Sequence, residues 1–217
     1  MLDIITITIG ITAIISLYGF NNPLFFDKYK FNVSAVSHRK EYLRLLSSGF
    51  LHADVMHLVF NMYTLFIFAP IVVHIFGYLG FLLIYIGAIL LGNLFSLFIY
   101  KGQGWYSAIG ASGGVSGILF ASIAMAPDLG IRFFFIPIDI PGYIFGLLYF
   151  GYSVYSMLNP RQNDMIGHAA HLGGAFLGLV FAVLFQPVMA LENIRYIGIM
   201  SLPLLYLAYE IFVKKRR

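Results

Sequence analysis

The stretch GASGGVSGILFASIAMA, residues 110–126, decides how this chain folds. It carries no charge along its whole length, yet its first half is built from glycine, alanine and serine, and the pattern Gly-x-Ser-Gly occurs in it twice. Lipid tails are as apolar as leucine, so helices in a bilayer associate by close packing, and small residues are what let two backbones approach. The segment therefore reads as a membrane helix gripped by its neighbours. Ser112 and Ser116 lie one turn apart on its opening face, and either is a candidate nucleophile.

The whole chain agrees with a bilayer setting. Of its 217 residues 60% are hydrophobic and 10% charged, whereas a water-soluble domain carries charge on roughly a quarter of its residues. There is no cysteine, which excludes disulfides, thiolate zinc sites and thiol nucleophiles. The net charge of +4 sits in short loops and in the terminal KKRR. That distribution fits contact with the anionic headgroups of a lipid bilayer, and no interleaving of basic and aromatic residues points to nucleic acid.

A spanning helix takes about 20 apolar residues. Six runs qualify, at about Ile4 to Phe20, Val55 to Phe76, Tyr78 to Tyr100, Ser112 to Ala126, Ile140 to Leu158 and Gly167 to Phe185. A seventh, Ile194 to Val213, is long enough to span although it holds Arg195, Pro203 and Glu210. The first run has no basic residues before it and no small-residue cleavage site after it, so it reads as a retained helix and not a signal peptide. The long loop Asn21 to Ala53 mixes charges with LRLLSSGFLH and is expected to lie half-inserted in the interface. No repeat or linker divides the chain, which gives a single domain over 1–217, with a core of about 41–186 and an extra C-terminal segment at about 194–213.

Polar side chains inside apolar helices are costly and by default functional. Here they gather in one layer. His57 and Asn61 share a face near the start of the second helix, the two serines open the fourth, and His168 and His171 open the sixth. If the helices alternate in direction, these three starts lie on the same side of the membrane. Serine, histidine and further donors at one depth are the parts for acyl transfer: nucleophile, general base and oxyanion stabilisers. Gly113, Gly114 and Gly117 on the fourth helix and the Gly-x-x-x-Gly pair Gly174 and Gly178 on the sixth remove the side chains that would hold the two helices apart. Asp164 and Asp54 are candidate third members, the latter equally a helix cap, but a Ser-His dyad is the preferred reading. A zinc site from His168, His171, His52 and His57 is the chemical rival. It lacks a His-Glu-x-x-His pattern and an intrahelical carboxylate, so neither metal nor cofactor is expected.

These residues resemble the rhomboid family of intramembrane serine proteases, with a match running from about Glu41 to Gly178. The stretch RLLSSGFLHADVMHLVFN corresponds to the family's first-loop and second-helix signature, with Arg44, His52, His57 and Asn61 at its marked positions. GASG at 110–113 and HLGGAFLG at 171–178 correspond to its serine and histidine motifs. The resemblance implies an all-α polytopic membrane protein: a six-helix rhomboid-like bundle, here with a seventh C-terminal helix. It implies that Ser112 is the nucleophile, that His171 is the base, and that His57, Asn61 and the Ser112 backbone form the oxyanion site. Arg44 braces the first loop, and the fifth helix with the loop Asn159 to Ile166 serves as gate and cap. Ser116 stands where many relatives carry an aromatic residue packed on the histidine, so His171 is expected to be less well clamped here.

Transmembrane protein substrates with helix-weakening Gly or Pro near the cut follow from the same reading, since a helix must be unwound before its backbone can be attacked. The expected setting is a bacterial cytoplasmic membrane with the active site on the extracytoplasmic side. Charge counting points the other way. Lys28, Lys30, Arg39, Lys40, Arg44, Lys101 and Arg161 lie on the active-site face against Arg132 and Arg195 on the other. A non-proteolytic adaptor for transmembrane clients is the alternative function, and both retained residues, Ser112 and His171, weigh against it. A transporter would show repeated broken helices and a midplane charge, which the runs lack.

Overall fold

The computed structural model describes residues 3–133, 136–160 and 166–214. Helix α1 (Ile4–Phe20) starts on the Asp3 cap, whose carboxylate accepts the Thr6 N–H at 2.8 Å. Its amphipathicity is inverted for a membrane: Ile7, Ile11, Ile14 and Leu17 face outward, while Thr8, Thr12 and Ser16 are buried. The first loop then folds into three short helices, α2 (Pro23–Tyr29), α3 (Val33–Ser37) and α4 (Arg44–Ser47), followed by a 3-10 turn at Ser48–Phe50. Phe31, Val33, Val36 and Leu45 form a small buried cluster beneath it, while Tyr42 and Leu43 stay exposed at its tip, in keeping with an interfacial segment.

The second and third apolar runs form one element, α5 (Val55–Ile99), bent at Gly77. Gly77 has φ 69° and ψ 179°, a conformation essentially closed to residues with a Cβ. The two runs meet there with no loop between them. Strand β1 (Phe31–Asn32) pairs antiparallel with β2 (Ser107–Ala108), which ties the first loop to the segment leading into α6 (Ser112–Met125). A hairpin of β3 (Gly130–Phe133) and β4 (Ile136–Pro141) joins α6 to α7 (Gly142–Leu158). That hairpin takes Ile140 and Pro141 from the expected fifth helix, which starts at Gly142 instead. Neither strand pair is among the sequence expectations: β1 and β2 have two residues each, too few for a period, and the alternating isoleucines of IPIDIP in β4 merge with the apolar run that follows. The chain finishes with α8 (His168–Phe185), α9 (Pro187–Glu192) and α10 (Ile194–Phe212).

The centre of the molecule is α6. Its 14 residues span about 21 Å at roughly 1.5 Å per residue, short of the roughly 30 Å hydrocarbon layer. It tolerates this by being enclosed: every residue from Gly113 to Met125 is buried. The enclosure is made by backbone contact. A Cβ at Gly174 would lie 2.0 Å from the Gly113 carbonyl oxygen, and one at Gly178 2.1 Å from that of Gly117. The second limb of α5 closes the third side, where a Cβ at Gly92 would lie 2.4 Å from the Ala170 oxygen and one at Gly117 2.5 Å from the Ala88 Cβ. At its far end, Asn193 donates to the Ala124 and Met125 carbonyls at 3.1 Å each, satisfying acceptors that the helix itself leaves open.

Outside this trio, α10 lies along α7. Gly146 admits Met200, and the Tyr143 and Tyr196 rings meet at 4.8 Å. The α5, α8 and α10 helices are each long and apolar enough to cross a membrane, and α1 and α6 are shorter apolar helices. The chain is thus an all-α, integral, multi-pass membrane protein, and the seventh run forms a helix as expected. Its Glu210 is buried and accepts from Lys214 at 2.8 Å, while Arg195 lies on the surface against Tyr196. Gly174→Ala and Gly178→Ala are expected to destabilise the fold by about 1–3 kcal/mol each through overpacking. Gly10→Ala, inside α1 where an added Cβ meets nothing within 4 Å, serves as the control that changes helix propensity without overpacking and is expected not to lower the midpoint of thermal unfolding in detergent micelles.

Candidate active site

The site is assembled at the entrance to α6. Gly110 has φ 118°, a left-handed conformation that turns the chain into the helix, and its N–H donates to the Ser48 carbonyl at 3.0 Å. It also has to be glycine for space, since a Cβ there would lie 2.8 Å from His57 Cε1 and 2.9 Å from Nε2. The Ala111 N–H donates to His52 Nε2 at 3.2 Å. Ser112 then opens α6, a helix with no side-chain cap, so the amides of its first turn are left unpaired by the helix.

Ser112 Oγ lies 2.6 Å from His171 Nε2. This is the geometry in which a neutral imidazole can take the hydroxyl proton, provided Nδ1 carries the ring hydrogen. Both residues are half-buried. The contact follows from the packing: Ser112 immediately precedes Gly113, and His171 stands one turn before Gly174, the two glycines whose backbones touch. Ser116 is buried one turn deeper, and its Oγ is engaged with the Tyr149 hydroxyl at 2.9 Å. Of the two serines that sequence left open, the one paired with His171 is Ser112.

His57 overhangs the same spot. The Ala53 N–H faces its Nδ1 in a long 3.5 Å contact, which favours the tautomer with the proton on Nε2, the nitrogen above Gly110. Asn61 is buried one turn further along α5 and uses Nδ2 to donate to the His57 carbonyl at 3.0 Å, leaving its second amide hydrogen for other work. Asp54 caps α5 by accepting the His57 N–H at 2.8 Å, so it serves as the helix cap and not as a third member of a triad. Asp164 and most of the Asn159 to Ile166 loop lie outside the described residues. Among the described residues no group of three or more His, Asp or Glu comes within reach of one ion.

The clamp on His171 corrects the expectation drawn from Ser116. The aromatic ring is present, but it comes from α7: Tyr149 stacks on His171 with centroids 6.2 Å apart and planes at 24°. Sequence gave no reason to single it out, because α7 carries aromatic residues along its length. A second unforeseen contact involves His52, which is fully buried. Its Nε2 accepts from Ala111, so its Nδ1 carries the hydrogen and donates to Ser16 Oγ at 2.8 Å, and Ser16 in turn donates to the Phe50 carbonyl at 2.8 Å. The chain of bonds anchors α1, the first loop and the approach to Ser112 on one imidazole. The stripe of Thr8, Thr12 and Ser16 at helical spacing was the visible clue to α1's inward face.

Arg44 is buried and braces the first loop, donating to the Asp27 and Lys30 carbonyls at 2.6 and 2.8 Å and to Glu41 at 2.5 Å. Arg39 and Arg44 together hold the Glu41 carboxyl down at about 2. Burial pushes His52 down to about 3.

A family model described as the Rhomboid domain matches residues 39–188. Among curated proteins, the chain is 30% identical over 152 residues to the RHOMBOID-like protein 12, mitochondrial, of Arabidopsis thaliana, covering 63% of this chain and 44% of that protein. It is 28% identical over 151 residues to the Presenilin-associated rhomboid-like protein, mitochondrial, of Homo sapiens, covering 62% and 36%. A shorter match, 36% identical over 78 residues and covering 36% and 38%, is to the Putative rhomboid protease YdcA of Bacillus subtilis. The chain thus spans less than half the length of these relatives.

A histidine held neutral by burial stabilises the fold above its unfolded pKa, near 6.5, and loses that contribution as the pH falls toward about 3, because the unfolded chain takes up a proton that the folded one refuses. The thermal unfolding midpoint of the wild type is therefore expected to fall from pH 6.5 to pH 5. In His52→Phe the midpoint is lower at pH 7 and its slope across that window shallower, which a pH series of melting curves checks.

Proposed function

We propose that this chain, which belongs to the rhomboid family, is an intramembrane serine endopeptidase that cuts transmembrane protein substrates with the Ser112–His171 dyad. The observation that carries the reading is the 2.6 Å approach of Ser112 Oγ to His171 Nε2 at the entrance of a membrane-embedded helix.

In this mechanism His171 takes the Ser112 proton as Oγ attacks the scissile carbonyl carbon. The carbonyl oxygen becomes an oxyanion, received by the Ser112 backbone N–H at the positive end of α6, by His57 Nε2–H and by the Asn61 amide. His171 then gives its proton to the departing amine, and the bond to nitrogen breaks. A water, deprotonated by His171, attacks the acyl-enzyme and returns Ser112 and His171 to their starting state. In this dyad Tyr149 supplies orientation that a third residue would otherwise give. Substrates are helices weakened by Gly or Pro near the cut, which must open before their backbone reaches Ser112.

The Ser112–His171 face is taken to open outside the cytoplasm, in a bacterial cytoplasmic membrane. The first-loop basic residues that oppose this by charge counting sit in a folded, interfacial loop, and the positive-inside rule is strongest for short free loops. With α10 crossing, the terminal KKRR joins the same face and adds to the opposing count. A reporter fused after Tyr29 is expected to be extracytoplasmic; a cytoplasmic signal inverts the protein.

In lipid vesicles, the wild type is expected to cut a reporter transmembrane substrate carrying a Gly or Pro in its helix. Ser112→Ala and His171→Ala abolish cutting, Ser116→Ala keeps it, and His57→Ala lowers kcat by roughly 100- to 1000-fold. Loss of cutting in Ser116→Ala alone moves the nucleophile by one turn. A wild type that binds helix-weakened substrates and cuts none of them is an adaptor for transmembrane clients.

A further inference from the structure

The packing around His171 is of two kinds. On one side α6, α8 and the second limb of α5 meet backbone to backbone, with glycine positions that leave no room for a Cβ. On the other, α7 meets α6 through side chains, with the Phe120 ring 5.4 Å from Tyr149 and 4.1 Å from Phe150, and Met200 and Tyr196 of α10 pack along the same face of α7 at Gly146 and Tyr143. Backbone contacts between interlocked helices are bistable or fixed, whereas a seam of rings can separate and re-form. Tyr149 stands on that seam. Its ring stacks on His171, and its hydroxyl meets Ser116 of α6 at 2.9 Å.

We propose that Tyr149 is the positioning residue for His171, with Ser116 as its latch, and that the pair makes the reactivity of the dyad depend on where α7 stands. With α7 docked, the latch fixes the Tyr149 ring and the ring fixes the imidazole, so that Nε2 points at Ser112. With α7 drawn away, the stack and the latch are lost together and the imidazole is free to turn about its side-chain torsions. The serine and the base then remain in place on α6 and α8 without being aligned. A substrate helix that enters by parting α7 from α6 therefore meets a disarmed dyad, and hydrolysis follows only when α7 returns.

This rests on the protease reading, and the test separates the two. The full chain, labelled with 15N-histidine and placed in lipid nanodiscs, is assayed for reporter cleavage, for labelling of Ser112 by a fluorophosphonate, and for the His171 ring resonances. Tyr149→Leu is expected to lower kcat by up to about 100-fold, the scale of a small misplacement of a reacting group, with KM nearly unchanged, and to move or broaden the His171 signals. Tyr149→Phe and Ser116→Ala each lower kcat roughly 2- to 10-fold through loss of one hydrogen bond. The double variant is no worse than either single one, because the same bond is removed once. Ser116→Tyr combined with Tyr149→Leu, which returns a ring to the histidine from α6, recovers activity that no longer depends on α7.

A Tyr149→Leu variant with wild-type kcat and unshifted His171 signals overturns the proposal. So does a double variant whose losses multiply. If the wild type neither cleaves nor labels, the protease reading fails by itself. The His171 resonances then still decide: unchanged in Tyr149→Leu they overturn the positioning role, and displaced they uphold it.

Discussion

The contact on which the rest depends is the one between the backbones of α6 and α8, where Gly174 reaches the Gly113 carbonyl with no space for a β-carbon. Helices ordinarily pack about 8–10 Å apart. Where the intervening β-carbons are removed they approach more closely, and the short Ser112 side chain is brought up to the imidazole. Gly113 follows Ser112 directly and Gly174 lies a turn beyond His171, so the helix contact also sets the distance between hydroxyl and imidazole. The second limb of α5 presses on both helices at Gly92 and Gly117 and leaves them little freedom to slide.

Around this rigid centre the polar groups are arranged in two tiers. The inner tier gathers at the entrance to α6: Ser112, His171 and His57. The outer tier fixes the approach to it. His52 links α1 to the Ala111 amide, the Gly110 turn hangs on Ser48, and Arg44 ties α4 to the end of α2 within the first loop. In a setting poor in water, each of these donors and acceptors would be expensive to leave unmade, so the outer tier holds the loop in one conformation as well as stabilising it.

Much of this was legible in the sequence because bilayer insertion imposes a strong pattern. Long uncharged runs gave the helices, and the polar residues at one depth, His57, Asn61, Ser112 and His171, stood out against them. The glycine spacing on the fourth and sixth helices announced their contact. What was not legible depends on side chains that look ordinary in their own segments. Tyr149 is one of many rings on α7, and only the packed structure shows which ring reaches His171. Ser16 is one hydroxyl in an apolar helix, and its role appears once His52 is seen above it. Strands β1 and β2 are too short for any period, and the alternating isoleucines of β4 run into α7, whose start was misplaced by two residues because Ile140 is as apolar as the helix it precedes.

The shortness of α6 bears on how the molecule is made. Its opening turns are glycine and serine, and at 14 residues it is too short to span the hydrocarbon layer by itself. It is nevertheless synthesised before α8, which supplies one of its walls. During that interval its partner is the second limb of α5, already folded back at Gly77, whose Ala88, Ile89 and Tyr85 line the Gly114 and Gly117 side of the helix. Biogenesis is therefore ordered: a hairpin first, then a dependent helix sheltered against it, and last the helix that brings the histidine. A chain arrested before that last step carries Ser112 without His171 beside it, so the pair exists only once the core is closed.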